Sequence, residues 1–419
     1  CSLVRIAVIG SGISGLGAAY VLSRAHHVEL FERDSRLGGH AHTHDIPVPD
    51  GVQRLDTGFL VYNEQTYPNF IRLLDQLGVA SHATDMCFGV RCRRCGLEYA
   101  SQSISSLLAQ RRRLLDPRHL AMLVEIVRYF RRARQFLHST EGYELTLGGF
   151  LAREGFSRRL TRHFVLPMGG AIWSASFCDM MDAPARTILQ FYENHGLLAA
   201  SGAPPWRTVT GGSRTYVEAI ARTISGPIHT SAPVERIVRL EEGVEVQTGT
   251  GLVQRFDRVV IATHADTALR LLADPSPAEQ EALRAFRYSL NRTVLHTDAS
   301  VLPRTRRAWA SWNCDIHDCR DASAPVSLTY HLNRLQGVGG DTQYCVTLNG
   351  REAPQGETLA VMDYTHPVLD RAAVTAQARV EALNGQRHTY YCGAHLRFGF
   401  HEDGLVSALR ATERLGATL

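Results

Sequence analysis

Residues 4–15 read Val-Arg-Ile-Ala-Val-Ile-Gly-Ser-Gly-Ile-Ser-Gly, and residues 27–32 read His-Val-Glu-Leu-Phe-Glu. The apolar run Val4–Ile9 predicts a strand buried on both faces, and the small residues from Ser14 to about Arg24 predict a helix lying close against it. His27 to Glu32 supplies a second strand, completing a βαβ unit. The glycines stand where strand gives way to helix, the context in which GxGxxG binds a dinucleotide. Gly10 permits the tight turn, Gly12 lets the backbone approach a pyrophosphate, and Gly15 lets the helix pack on the strand. Ile13 and Ser14 open the helix, whose first N–H groups aim at the phosphates. Glu32 stands where an acid accepts hydrogen bonds from a ribose diol. The cradle by itself suits NAD and FAD equally.

Working outward, 419 residues exceed one simple core and suit two intertwined domains. Hydrophobic residues at 44% and charged residues at 21% are globular values that exclude extended disorder. The 45 basic residues are all Arg, and 41 acids leave a net charge of +4, which is no nucleic-acid signature. Nine scattered Cys, a strand beginning at Val4 with no leader pattern before it, and the lack of a long apolar stretch predict a cytoplasmic, reduced protein without a membrane span.

From Tyr67 to Leu198 the periodicity is mainly helical, with a loop at Val90–Gly96 and a long amphipathic pattern over Ser103–Leu137. After Gly211 come a helix, strands at Val234–Arg239 and Val244–Gln247, and the apolar strand Val259–Ala262. Between Asn291 and Tyr364 the pattern is strand-like, in segments such as Thr293–Thr297, Val326–Leu332 and Tyr344–Leu348, and reads as an antiparallel sheet; Thr389–Cys392 reads as a short strand and Glu402–Leu415 as the closing helix. The expected fold is α/β, a Rossmann-like nucleotide-binding domain of glutathione-reductase type intertwined with an α+β substrate domain. Residues 1–66, 208–270 and 386–419 are assigned to the first, and 67–207 and 271–385 to the second.

Downstream of the cradle stand Glu32-Arg33-Asp-Ser-Arg36-Leu-Gly38-Gly39-His40 and Asp56-Thr57-Gly58-Phe59. Here the chain resembles the flavin-dependent amine oxidase and phytoene desaturase superfamily, in which these segments cross the pyrophosphate. The resemblance implies non-covalent FAD. It continues in Gly211-Gly212-Ser213 with Tyr216-Val217, in Val234 as the residue touching adenine, and in the strand ending at Ala262-Thr263. Cys392-Gly393-Ala394, followed by Gly399-Phe400-His401-Glu402-Asp403, resembles the segment whose helix N-terminus faces the flavin pyrimidine ring. Its dipole would stabilise negative charge developing there. More closely, Gly38–Thr43, Asp56–Phe59, Tyr67–Phe70, Pro167–Ser174 and Gly399–Asp403 resemble a group of bacterial FAD-dependent oxidoreductases. That group accompanies enzymes modifying unsaturated, cyclopropane-type fatty acyl chains, which implies a lipid substrate as one expectation.

Amine oxidases of this fold commonly use a Lys beside flavin N5, and this chain has none. His40 replaces their usual Arg, His395 their usual acid, and Cys392 lacks a covalent-flavin context. With the flavin accepting hydride, the protein need only hold a C–H bond about 3–3.5 Å away and exclude water. His401 is the candidate acid or base, a positional or hydrogen-bonding role being the alternative; Trp173, Trp206, Trp312 and Tyr330 are candidates for an apolar pocket. His40, His42 and His44 alternate like metal ligands, but their place beside the pyrophosphate crossing argues otherwise. Cys92 and Cys95 lack a second pair, Cys314 and Cys319 stand too far apart to make one, and ordinary thiols without metal are expected. Arg111–Arg113, Arg118, Arg128, Arg131, Arg132 and Arg134, interleaved with Leu and Ile, suit either a solvated helix face or peripheral contact with an anionic membrane through 104–137. The leading reading is an FAD-dependent oxidase, dehydrogenase or desaturase taking hydride onto flavin N5 from an apolar or acyl-lipid substrate. An amine oxidase, a redox-neutral isomerase and a non-catalytic flavin-binding accessory protein are its rivals.

Overall fold

The computed structural model describes residues 3–140, 144–199, 204–321 and 327–419. Strands Arg5–Ile9 and His27–Phe31 pair in parallel, Arg5 opposite His27 and Ile9 opposite Phe31. Arg258–Ile261 joins the other side of the first strand, Thr389–Tyr391 lies beyond it and Ile228–His229 forms the opposite edge, giving a five-stranded parallel sheet. Its side chains alternate between two cores. Ile6, Val8, Val28, Leu30 and Val260 pack with the first helix, Ile13–Leu22, and the closing helix, His401–Glu413. Ala7, Ile9, Phe31, Val259 and Ile261 pack with the antiparallel sheet Val234–Arg239, Val244–Thr248, Val253–Phe256 and with helices Ala265–Leu271 and Arg371–Leu383. Burial on both faces is why these strands are apolar throughout, each buried Val or Ile contributing roughly 1.5–3 kcal/mol.

Close packing sets the sheet's geometry. A β-carbon on Gly15 would lie 1.8 Å from the Gly10 carbonyl oxygen, and one on Gly17 2.6 Å from Leu405 Cδ1. The first helix thus approaches both its strand and the closing helix more nearly than alanine permits.

A second, seven-stranded sheet runs in the order Thr358–Val368, Arg287–His296, Cys345–Leu348, Ser327–His331, Trp312–Ile316, Phe88–Cys92, Glu98–Ala100. It is antiparallel except where Trp312–Ile316 meets Phe88–Cys92. The predicted strand at Val326–Leu332 appears as Ser327–His331, Val326 lying outside the described residues. Trp312–Ile316 falls within the strand-like stretch Asn291–Tyr364, and Thr358–Val368 runs past its end.

The segment from Tyr67 to Leu198 is mainly helical, as its periodicity predicts, with short strands near its start. Ser81–Thr84, Phe88–Cys92 and Glu98–Ala100 are strands, and the expected loop at Val90–Gly96 is the end of one strand and the turn of a hairpin. The pattern over Ser103–Leu137 divides into Ile104–Leu107, a 3₁₀ turn Arg111–Leu115 and the long helix Pro117–His138. The break falls there because Asp116 caps a new helix, accepting from the Arg118 N–H at 3.0 Å, with Pro117 in the first position. No helix among the described residues is long and apolar enough to cross a membrane.

Candidate functional site

The N-termini of the first and closing helices open onto one cavity of about 1520 Å³, larger than the roughly 300–1,000 Å³ of an ordinary small-molecule pocket. Gly10, Gly12, Ile13, Ser14, Glu32, Arg36, Gly39, His40, Gly58, Phe59, Val234, Ala262, Thr263, Gly393 and His401 all lie on its wall. Gly12 has φ −67° and no atom within 4 Å of where a β-carbon would stand, so its bare side faces open cavity. Gly15 sits behind it, glycine because of the strand rather than a ligand. Gly39, at φ +58°, approaches so closely that a β-carbon there would stand 3.0 Å from Gly12 Cα. Gly38, at φ +111°, is the buried hinge of this crossing.

Glu32 is fixed within the protein. Its Oε2 accepts from the Ser11 N–H (3.0 Å) and hydroxyl (2.5 Å), and its Oε1 from the Asp34 N–H (2.9 Å). Arg36 donates to the carbonyls of Gly39 (2.8 Å), Leu37 and Ala41 (both 3.4 Å), stiffening the crossing while presenting its charge on the wall. Arg33 reaches only the rim, three quarters exposed (75%) and 3.5 Å from Asp34.

Thr57 is not on the wall. Its hydroxyl lies 2.7 Å from that of Tyr364 and 3.0 Å from His44 Nε2, while His42 Nδ1 lies 2.9 Å from the same tyrosine hydroxyl. Neighbouring Asp56 accepts from the Thr43 and Ser213 hydroxyls (2.6 and 2.7 Å), the Ser213 N–H (3.0 Å) and the Gln336 amide (3.1 Å), tying the Thr43–Asp56 ribbon to the second glycine turn. The alternating histidines therefore separate in role. His44 serves this network alone, His42 serves it while also lining the cavity, and His40 lies on the wall beside Tyr364 and His366, ring centroids 5.0 and 5.1 Å away. Burial holds His40 well below the ordinary imidazole pKa, and the neighbouring His366 adds to the shift. Burial alone or chiefly brings His366 to about 4 and His395 and His401 to about 3, so these rings are neutral.

At the closing helix the expectations divide. The His401 ring stacks on Phe59 at 3.7 Å and 6°, with Nε2 2.6 Å from the Tyr216 hydroxyl. Glu402 and Asp403, expected at the cofactor, are absent from the wall. Glu402 caps the helix Pro68–Leu77, accepting from the Asn69 N–H (3.0 Å) and side-chain amide (2.7 Å) and the Phe70 N–H (2.9 Å). Asp403 accepts from the Phe400 N–H at 3.0 Å. Buried carboxylates require donors, and the nearest are helix-end N–H groups of the protein itself. Burial raises the pKa of both, that of Asp403 to about 7.

Beyond this end the cavity becomes apolar. Trp173, Trp206, Trp312 and Tyr330 line it as expected, joined by Phe191, His195 and Phe400 and then by Leu107, Leu123, Ile126, Val127, Phe130, Phe164, Met168 and Ile172. Trp173 donates to the Phe398 carbonyl at 3.0 Å, whereas the Trp312 indole N–H is buried without a partner. Tyr364, His366 and His195 are site residues that local sequence signals did not single out.

A glycine cradle bare to the cavity, an acid fixed beside it, a glycine crossing and a second helix N-terminus together define a dinucleotide-binding oxidoreductase of the flavoprotein class. The chain belongs to the family of flavin-containing amine oxidoreductases, whose profile matches residues 13–361. FAD is its non-covalent cofactor, and the bare Gly12 surface and wall glycines fit that group. The fold is shared over 98% of both chains with a fatty acid isomerase from P. acnes that produces CLA (TM-score 0.68, 16% identity). It is shared over 99% of this chain and 100% of the other with cyclohexylamine oxidase from Brevibacterium oxydans IH-35A (0.69, 17%). Putrescine oxidase bound to putrescine matches over 99% of each chain (0.67, 14%). No curated protein sequence matches the chain.

Proposed function

We propose that this FAD-dependent oxidoreductase acts on a long apolar, fatty-acyl substrate. The observation that carries the reading is the apolar arm of the cavity, whose walls from Leu107 to Ile172 consist of aliphatic, aromatic and thioether side chains. Asp85, elsewhere on the cavity wall, is engaged by Arg334, with Nε at 3.1 Å. Among the described residues of the arm from Leu107 to Ile172 a protonated amine would find no anionic partner, whereas an acyl chain gains from every methylene buried, about 0.8 kcal/mol each. Bound flavin supplies a hydride acceptor. The protein's own contribution is to orient the chain and to exclude water with Trp173, Phe191 and Phe400.

Helix Pro117–His138 forms the outer wall of the arm. Leu123, Ile126, Val127 and Phe130 line the cavity, while Val124 and Val127 are 71% and 64% exposed. Arg113, Arg128 and Arg132 are tied to Asp116, the Glu154 carbonyl and the Glu154 carboxylate. Arg111, Arg112, Arg118, Arg131 and Arg134 are exposed and form no ion pair among the described residues. This face lies on an anionic lipid surface, with acyl chains entering past the helix. Anaerobic mixing with vesicles of unsaturated, partly anionic phospholipid is expected to bleach the flavin, and primary amines are expected to leave it oxidised. Bleaching by amines alone overturns the reading. Lipid whose double bond moves without net bleaching would convert it to a redox-neutral isomerase on the same site.

His401 acts as a positioning residue, since its ring is stacked and its Nε2 is occupied by Tyr216. His401→Gln, which can still meet the tyrosine hydroxyl, is expected to keep turnover within roughly threefold, with an unchanged pH profile. Loss of an acid or base would instead cost about 10²–10⁴-fold.

A further inference from the structure

Away from the flavin cavity, the Sγ atoms of Cys92, Cys95 and Cys319 and a ring nitrogen of His163 all lie within 4.8 Å of one another. Cys92, Cys95 and Cys319 form no disulfide among the described residues. Cys92 ends a strand, and the turn after it closes tightly, with the Gly96 N–H donating to the Cys92 carbonyl at 2.9 Å and the Cys92 N–H to the Leu97 carbonyl at 2.8 Å. The hairpin thereby presents the two sulfurs of a CxxC to one point. Cys319 arrives from the turn that follows the neighbouring strand Trp312–Ile316.

His163 comes from the helical layer, on a π-turn spanning Thr161–Val165, a distortion that gathers at functional sites. Its Nδ1–H donates to the Arg159 carbonyl at 3.2 Å, which fixes the tautomer and leaves the Nε2 lone pair for the sulfurs; Cys95 Sγ is 3.3 Å away. Each ligand segment is also held from behind. Arg113 donates to the Cys95 carbonyl, Arg162 to the Cys319 carbonyl and the Tyr99 hydroxyl to the His163 carbonyl, each at 2.6 Å. The two guanidiniums offset the negative charge that three thiolates around a divalent ion would leave.

We propose that Cys92, Cys95, His163 and Cys319 bind one Zn²⁺ as a closed, structural Cys₃His site. Thiolates and imidazole suit zinc, and Zn–S bonds of about 2.3 Å place tetrahedral sulfurs roughly 3.8 Å apart, a contraction of less than about 1 Å from the present envelope. Binding releases the thiol protons and involves no redox step. The ion fastens the helical layer to the seven-stranded sheet beside the apolar arm, whose wall includes Phe164, the residue after His163.

The test uses the FAD-loaded protein, purified without chelator from zinc-supplemented cells. About one zinc per chain by elemental analysis is expected, released by a mercurial reagent, and Cys319→Ser and His163→Ala are each expected to lose at least ~80% of it while keeping flavin. Exchange of the wild-type protein with Co²⁺ is expected to give the visible bands of tetrahedral cobalt and thiolate charge transfer, and this measurement decides the matter even if the variants fail to fold. Zinc below ~0.2 per chain, full zinc in both variants, or cobalt spectra without thiolate character overturns the site. So does a Cys92–Cys95 disulfide in the freshly isolated protein.

Discussion

Gly12→Val is expected to fold as the wild type does and to emerge colourless. The backbone at this position is extended on one side and already in the range that a β-branched residue adopts, with φ −67° and ψ 179°. No protein atom stands within 4 Å of the new β-carbon, so valine meets no core neighbour. What it meets is the space against which the first helix presents its N–H groups. Two methyl groups there hold a pyrophosphate away from those donors, at about 3 kcal/mol or on the order of 100-fold in affinity. Gly15→Ala is the control of opposite character, because its β-carbon would press on the Gly10 carbonyl at 1.8 Å and must disturb the fold. The flavin-to-protein ratio and the thermal midpoint of the flavin-free protein, measured on both, separate the effects. A fully flavinated Gly12→Val protein would show that the pyrophosphate lies elsewhere.

The cradle was legible in the sequence because its signals are local. Strand, glycines, helix and acid occupy about thirty consecutive residues, and each constrains the others. Residues whose role depends on a distant partner were not legible in the same way. Glu402 sits in a flavin-type motif, yet its carboxylate caps a helix whose first residues are Pro68 and Asn69. Tyr364 and His366 reach the cavity on a strand that pairs with Arg287–His296 along its whole length, and that strand's mixed exposure carries no clean alternation to betray it. The Cys92–Cys95 pair looked incomplete because its third and fourth partners, His163 and Cys319, come from a helix and a turn that only the tertiary fold brings together. The same reason explains the short strands that went unread within the mainly helical segment between Tyr67 and Leu198, which gain their definition from Trp312–Ile316 and Trp206–Val209.

Mild acid is expected to unfold this protein and release its flavin together, between about pH 6 and pH 4. Burial holds His195 and His366 at about 4 and, as the largest cause, His42, His395 and His401 at about 3, all against an unfolded value of 6.5. For a base whose pKa is depressed by folding, the unfolded chain binds more protons below 6.5, so stability present at neutral pH is lost as pH falls through this window. Asp56 and Asp403 act in the opposite sense. Burial raises them to about 6 and about 7, so they are protonated in the fold where the unfolded chain still ionises them, and they gain relative stability on acidification. His40 and Glu402, shifted down and up by burial, act in opposite senses. Five histidines against two aspartates leave a net uptake of about three protons on unfolding, a slope on the order of 4 kcal/mol per pH unit. A fall of two units therefore removes stability comparable to the roughly 5–15 kcal/mol of a typical domain. Denaturant midpoints and flavin fluorescence followed from pH 7.5 to pH 4 should report one shared transition, shallower by about one proton in His366→Gln. A midpoint that stays flat across that range would mean that these histidines are charged in the fold, and that the cavity is wetter than its walls imply.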